Sequence, residues 1–388
     1  MTQYLTGGEV VRRERLLDQI TVRSAYQTPL LARLPHESTT STLTEWVADV
    51  PFSSSDAVRN IANPHADSRL EGSAFTFENA SYELRLRTIC EIKHHGVEMS
   101  GTDRSAIMAG MADPWDYRVG KVFTKHLNSI DNTGMYGTGS PVTGNETAAS
   151  GPITAGNERR TQGLIFNSAV TGLERAHGTT TLPSVVDPYG VNIPADYWSV
   201  FHDFDFSAIT MDSFYNNIIA PALTAGADME DAWVYQCGYR VMNRVSRFLI
   251  ADGGIPINER QRNADDAQGS DYVNMFRLAS GNTVIFRTNR WLNETDDTFT
   301  AANTDSNTVF TPGSPDDYGT PGTQSRTLYG DQTIIGHEPG SVRWLWYREP
   351  AFRNVETSGD YNQLAIVSEF ALQVDHPLCV VGAANVLS

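Results

Sequence analysis

The chain has 388 residues, 40% of them hydrophobic, and 46 acidic against 29 basic side chains give a formal charge of −17. That much apolar content can fill sizeable cores and excludes a disordered polymer, while the acidic balance argues against tight general binding to nucleic acid, whose phosphates it repels. Cys90, Cys237 and Cys379 are odd in number and far apart with no CxxC pair, which argues against a disulfide framework or a zinc site and favours a reducing compartment.

Residues 1–41 read as an arm. The opening stretch lacks an apolar segment of signal-peptide length, and no run of about 18 apolar residues predicts a membrane span. Val10 to Leu17 suits a short helix, and the chain through Pro29 and Pro35 reads as extended. Arg12, Arg13, Arg15, Arg23 and Arg33 outnumber Glu9, Glu14 and Asp18. A net-positive arm on an acidic chain suits docking on a neighbouring subunit. Lysine is confined to positions 93, 121 and 125. The arginine bias fits forked carboxylate contacts, or equally a GC-rich genome.

Residues 42–99 form a long two-stranded excursion, out along Leu43 to Val50 and back along Tyr82 to Met99, with a polar tip from Pro51 to Phe77. On the return, Tyr82, Leu84, Leu86, Thr88, Cys90 and Ile92 share one face. Glu83, Arg85, Arg87, Glu91 and Lys93 share the other, with Ile89 the exception. Period-two patterning predicts a half-buried strand. Twelve such residues reach roughly 40 Å, so the strand projects beyond its own core.

A long helix follows over about 114–132. Asp113 is its N-cap and Pro114 its first residue, where a missing N–H costs nothing. Trp115, Val119, Val122, Phe123, Leu127 and Ile130 form an apolar stripe, with Lys121 and Lys125 largely opposite. Residues 131–158 are a Gly/Thr-rich connector. A mixed region spans 159–345, with helices over Met211 to Ala225, capped by Asp212, and over Asp231 to Ile250, capped by Asp228 or Asp231. Val273 to Leu278, Thr283 to Phe286 and Ser341 to Trp346 read as strands. Within this region 293–330 is a polar, acidic insertion expected to face solvent. In the last block Leu364, Ile366, Phe370, Leu372 and Val374 alternate with Val367, Glu369 and Gln373 until Pro377 breaks the strand. Cys379 to Val381 begins another.

Catalytic patterns are weak. Asp203 and Asp205 share a strand face without a converging partner. His94 and His95 point to opposite faces and make a poor metal pair. Gly137-Thr138-Gly139 follows a helix, not a strand, which a dinucleotide loop would require. Trp344, Trp346 and Tyr347 beside Arg343 read as a buried junction rather than a sugar platform. The residues therefore point to no catalytic, cofactor-binding or metal-binding site.

The order of elements, and short words within it, resemble the major capsid (major head) protein family of tailed bacteriophages. The words are Glu45-Trp46 and Asp49 on the outgoing strand, Glu71-Gly72 at the tip, Asn79 and Ser81, and Val97 to Thr102. They continue with Arg160, Gly163-Leu164, Asn282 to Arg287, Asn289-Arg290, Arg343, Ser358 to Asp360, and Glu369 with Leu372, Val374 and Pro377. His376 stands where the family has asparagine. The resemblance implies an α+β, HK97-like phage capsid fold. Its parts would be an N-terminal arm (1–41), an extended loop or E-loop (42–99), and a peripheral domain with a long spine helix (100–158) completed by the C-terminal strands (346–388). An axial domain would occupy 159–345.

It further implies an icosahedral shell of hexamers and pentamers enclosing double-stranded DNA, assembled in the host cytoplasm. The partners implied are other copies of the chain, a portal, a scaffold, a cement protein, and packaged DNA held weakly. Arg12, Arg13, Arg15, Trp46, Asp49, Glu71, Arg85, Arg87 and Arg343 are the expected contacts between subunits. Some relatives cross-link subunits through a loop lysine. Lys93 lies at the root of the strand and is expected to pair with Glu83, Glu91 or a neighbouring strand instead. Two rival readings are an encapsulin-like nanocompartment shell and a secreted carbohydrate-active enzyme. The first lacks a visible cargo groove, the second an export signal and an acid pair.

Overall fold

A computed structural model describes residues 28–48, 71, 84–105, 113–137, 159–168, 198–203, 210–225, 227, 232–245, 275–277, 281, 283–293, 327–355 and 360–387. The expected arm helix at 10–17, all of the loop tip except Glu71, the connector from 138 to 158 and the insertion from 294 to 326 lie outside these residues.

In chain order the strands are β1 (His36–Ser38), β2 (Leu43–Ala48), β3 (Leu84–Ile89), β4 (Glu91–Ser100), β5 (Val200–Asp203) and β6 (Trp233–Cys237). They continue as β7 (Met275–Arg277), β8 (Thr283–Thr288), β9 (Thr327–His337), β10 (Val342–Asn354), β11 (Tyr361–Val374) and β12 (Val380–Leu387). A four-stranded sheet has the order β1-β10-β11-β4 and a six-stranded sheet the order β5-β12-β9-β6-β8-β7, while β2 and β3 form a separate ribbon. The described helices include α1 (Gly101–Ser105), α2 (Pro114–Tyr136), α3 (Met211–Phe214, Tyr215–Ile219 and Ala220–Ala225 in succession) and α4 (Tyr239–Val245), with further short turns over 164–168, Arg290–Asn293 and Pro377–Cys379.

Helix α2 starts as its sequence dictates. The Asp113 carboxylate accepts from the amides of Trp115 at 2.8 Å and Asp116 at 3.4 Å. Apart from Pro114, its buried positions lie in its C-terminal half, His126, Ile130, Asp131, Gly134 and Met135, while Trp115, Val119, Val122, Phe123 and Leu127 are only half-buried. The helix crosses one face of the four-stranded sheet. A Cβ on Gly134 would stand 2.5 Å from the Trp344 indole, so this crossing depends on the missing side chain. Leu30, Leu31, Leu34, Leu86, Ile130, Met135, Trp344 and Phe370 share one core. Phe214, Ile218, Trp233, Tyr235, Phe286 and Ile334 share a second, packed on the six-stranded sheet.

Five expectations are corrected. Residues 29–34 are not extended. The amides of Ala32 and Leu34 bond back to Thr28 and Leu30 at 3.0 and 2.9 Å, because three leucines reach one core only from a coiled turn. The returning strand is not continuous, since Cys90 leaves the ladder and donates its N–H to the Thr42 carbonyl at 2.8 Å. One residue out of register flips every later side chain, so Lys93 turns toward α2 and Ile92 is 38% exposed. Helix α2 continues to Tyr136 through residues expected as connector. Asp212 does not cap α3; Thr210 does, its hydroxyl accepting from the Ser213 amide at 3.1 Å. Finally, 233–237 is a strand, not helix. Trp233, Tyr235 and Cys237 are buried in the middle of the six-stranded sheet, and Gln236 is buried between them as the acceptor of the Asn289 amide at 2.7 Å.

Candidate assembly surfaces

The two sheets are joined by two crossings lying side by side, β9 to β10 and β11 to β12. Glu338 N–H donates to the Cys379 carbonyl and Asp375 N–H to the Ser341 carbonyl, both at 2.9 Å. His376 supports the second crossing, its Nδ1 accepting from the Leu378 amide at 3.1 Å. Asp375 is the residue on which β2, β10 and β11 converge. Its carboxylate takes the Arg343 guanidinium and, at 2.7 Å, the Gln373 amide. Its main-chain carbonyl accepts the Trp46 indole N–H at 2.9 Å.

The ribbon is thereby fixed at its root. Thr88 adds a hydroxyl bond to the Leu372 carbonyl at 3.1 Å, and Ala48 and Leu86 are buried beneath. Its other face is open: Val47 is 60% exposed, and Arg85 pairs with Glu45 at 3.6 Å on the surface. Arg87 is half-buried, and Glu71 is exposed. Arg12, Arg13, Arg15 and Asp49 lie outside the described residues.

Residues 28–38 are fixed by charge as well as by leucines. Arg343 also donates to Glu37 at 2.7 Å, tying β1 to β10, along which it runs in parallel. Thus Arg343, expected between subunits, is engaged within the chain. Deeper in, Asp131 of α2 accepts from the Leu31 amide at 2.5 Å and from the Trp291 indole at 2.9 Å. Burial pushes its carboxyl up to about 6, against the pull of those donors and of Arg33. Sequence reasoning missed Asp131, although its spacing from Leu127 and Gly134 puts it on the buried side of α2.

A second set of charges lies where β11 meets residues 159–161. Glu369 is 1% exposed and receives Arg159 at 2.6 Å and Arg348 at 2.8 Å. Breaking such a buried pair by removing either arginine is costly, because it leaves the other charges uncompensated. Glu91 accepts from the Thr161 amide at 3.2 Å and faces Lys93 at 3.7 Å. Lys93 also donates to the Ser129 carbonyl at 2.7 Å, to the Ser129 hydroxyl at 3.0 Å and to Thr133. Burial pushes the Lys93 amine down and the Glu91 carboxyl up, and each partner's charge opposes the shift. The expected pairing of Lys93 with Glu91 is therefore present.

Among the described residues no three His, Cys, Asp or Glu side chains converge as a metal site, and no described helix is long and apolar enough to cross a membrane. What the arrangement offers is a body of two joined sheets, one long helix across it, and a ribbon and the segment 28–38 anchored on it. The family model for the SU10 major capsid protein matches residues 1–386. The chain belongs to that family. It is a capsid shell protein, located in the virion capsid, and the family is one that self-assembles.

Its fold is the HK97-like capsid fold. The chain in the cyanophage A-1(L) capsid asymmetric unit superposes with a TM-score of 0.60 at 10% identity, covering 96% of each chain. That of cyanophage Pam1 gives 0.51 at 11% identity, covering 99% of this chain and 98% of that one. Cyanophage P-SCSP1u gives 0.50 at 8% identity, covering 98% and 95%. No curated protein matches the capsid protein's sequence. At such identities the solved structures fix the fold alone, and the family match carries the function.

Proposed function

We propose that the capsid protein tiles an icosahedral shell around phage double-stranded DNA, as hexamers and pentamers of itself, and performs no catalysis. The observation that carries this is the β2–β3 ribbon. Two strands alone are marginal in water. The ribbon is nonetheless pinned at its root, by Trp46 to Asp375 and by Thr88 to Leu372. Such a construction makes sense if a neighbouring subunit completes the ribbon.

In this reading residues 42–99 carry the extended loop, with 1–41 as an arm over the next subunit. Residues 100–158 and 346–388 form the peripheral part and 159–345 the axial part, while β12 returns into the six-stranded sheet and locks the two together. Arg12, Arg13, Arg15, Asp49, Glu71, Arg85 and Arg87 meet neighbouring subunits. Trp46 and Arg343 act one step back, setting the angles of ribbon and arm. Assembly takes place in the host cytoplasm with a scaffold and a portal, and a cement protein can add strength outside. DNA contact inside is weak and non-specific, as an acidic chain requires.

Electron microscopy of the expressed protein, and of particles from infected cells, tests this reading. Closed shells or capsomers, and DNA-filled particles from infection, are expected. A monodisperse monomer under all assembly conditions contradicts it.

A further inference from the structure

The middle of α2 is tied to the four-stranded sheet by three polar side chains, one from each of three elements. His126 on α2 is fully buried, as is Ser368 on β11. His126 Nδ1 lies 2.8 Å from Nδ1 of His95 on β4, and His126 Nε2 lies 2.8 Å from the Ser368 hydroxyl. The two rings meet edge to face, with centroids 5.1 Å apart. Nothing in the shell reading uses this row.

A hydrogen bond between two ring nitrogens needs one proton and one lone pair. The neutral row has two arrangements. Either His95 donates to His126, which passes its Nε2–H to Ser368, or Ser368 donates to His126, which donates to His95. One added proton still fits. It sits on the outer nitrogen of His95, whose Nδ1–H continues to donate inward. A second added proton puts an N–H on both facing nitrogens at a separation of 2.8 Å, and the contact must break.

The surroundings oppose added charge from every side. On β4, Lys93 and the exposed His94 flank the pair, and the Glu91 carboxylate is taken up by Lys93 and the Thr161 amide. On α2, Lys125 adds a further positive charge. On β11, the acid next to Ser368 is Glu369, which points to the opposite face and is held by Arg159 and Arg348. Burial first, then these neighbouring charges, lower the affinity of both rings for protons, that of His126 to about 4.

We propose that His95, His126 and Ser368 form a proton-operated latch between α2 and the four-stranded sheet, closed with at most one added proton on the imidazole pair and opened by the second. On opening, the middle of α2 leaves the sheet. Its C-terminal end stays docked through Gly134 under Trp344 and through Asp131. The latch belongs to the folded chain and does not depend on how shells are built.

Amide hydrogen exchange on the purified full-length protein, corrected for intrinsic rates, tests it. An opening that takes up protons becomes tenfold easier per pH unit for each proton. Protection over residues 120–130 should fall more steeply than tenfold per pH unit below about pH 6. His95→Gln should reduce that slope to about tenfold, and combining it with His126→Gln should leave the profile flat. A pair that merely packs would shift protection by the same factor at every pH, so parallel wild-type and His95→Gln profiles overturn the latch. Exchange at the histidine ring C2 positions gives a second reading on the unmodified protein. There His126 should titrate well below the ordinary histidine value of about 6.5, and titration at that ordinary value also overturns it.

Discussion

The Trp46 indole donates to the main-chain carbonyl of Asp375 at 2.9 Å across 329 residues of sequence. The same Asp375 holds Arg343 through its carboxylate. One residue at the crossing between sheets therefore fixes both the root of the ribbon and the strand beside the arm. Trp46→Phe keeps most of the apolar contact and removes the N–H. Folding stability should drop by about 1 kcal/mol, the usual worth of such a bond. Shell yield should fall much further than stability, because in the proposed assembly a neighbour reads the ribbon's angle. Urea titration alongside particle counts by negative-stain microscopy checks the pair; equal losses in both contradict the assignment.

Deleting residues 52–76 removes the expected tip of the extended loop and leaves the ribbon's pinned root intact. The protein should stay folded, with one cooperative melt, and form no shells. Wild-type shells from this deletion refute the proposed role of the loop.

Gly134→Ala places a methyl where the Trp344 ring already lies, 2.5 Å from its nearest carbon. Both neighbours are buried, so the clash relaxes only by moving α2 away from the sheet. Overpacking of this kind costs about 1–3 kcal/mol, despite alanine's better helix propensity. Gly120→Ala on the same helix meets nothing within 4 Å and should be neutral or stabilising. Comparing the two variants by thermal unfolding separates packing from propensity.

Asp131 gives a pH dependence with a defined sign. Its carboxyl is raised from 3.8 to about 6 in the folded chain. The folded state therefore binds the proton more tightly than the unfolded chain. This contribution to stability is present in acid and is lost as pH rises through that window, by about 3 kcal/mol for a shift of two units. Asp131→Asn cannot titrate. The stability difference, wild type minus variant, should grow by about that amount as pH falls from about 6 to about 4, while the histidine contributions cancel. A difference independent of pH shows that the acid is not desolvated in solution.

Lys93 is engaged by Glu91, Ser129 and Thr133 beneath α2, and Lys121 and Lys125 are exposed on the helix. None lies within the proposed loop tip. Particles boiled in denaturant and reductant should run as a single band near 42.7 kDa. A ladder of multimers would show covalent links between subunits.

The local devices were legible in the sequence because their physics is local. Asp113-Pro114 starts α2 wherever the chain is placed, and the alternation of 84–88 fixes which side of β3 is buried. The family was legible for a related reason: its short words sit in a fixed order along the chain. Three features were not legible. Nothing near Cys90 announces that its N–H will bond to Thr42, yet that bond ends one strand, starts another and reverses the faces of Ile92 and Lys93. Residues 233–237 lie in a stretch that reads as helix, and only pairing with β8 and β9 makes them a strand. Asp375, Asp131, His126 and Glu369 read as ordinary polar positions, because an isolated polar residue does not reveal its distant partners. Sequence alone thus determined the start of α2 and the buried side of β3, each carried by neighbours within a few residues, and the family, carried by the order of its words. The tertiary structure decided the sheet membership, the reversed face of β4 and most of the buried charges, since these rest on groups apart in sequence that meet only once the chain has folded, as Cys90 meets Thr42 and Asp131 meets Leu31.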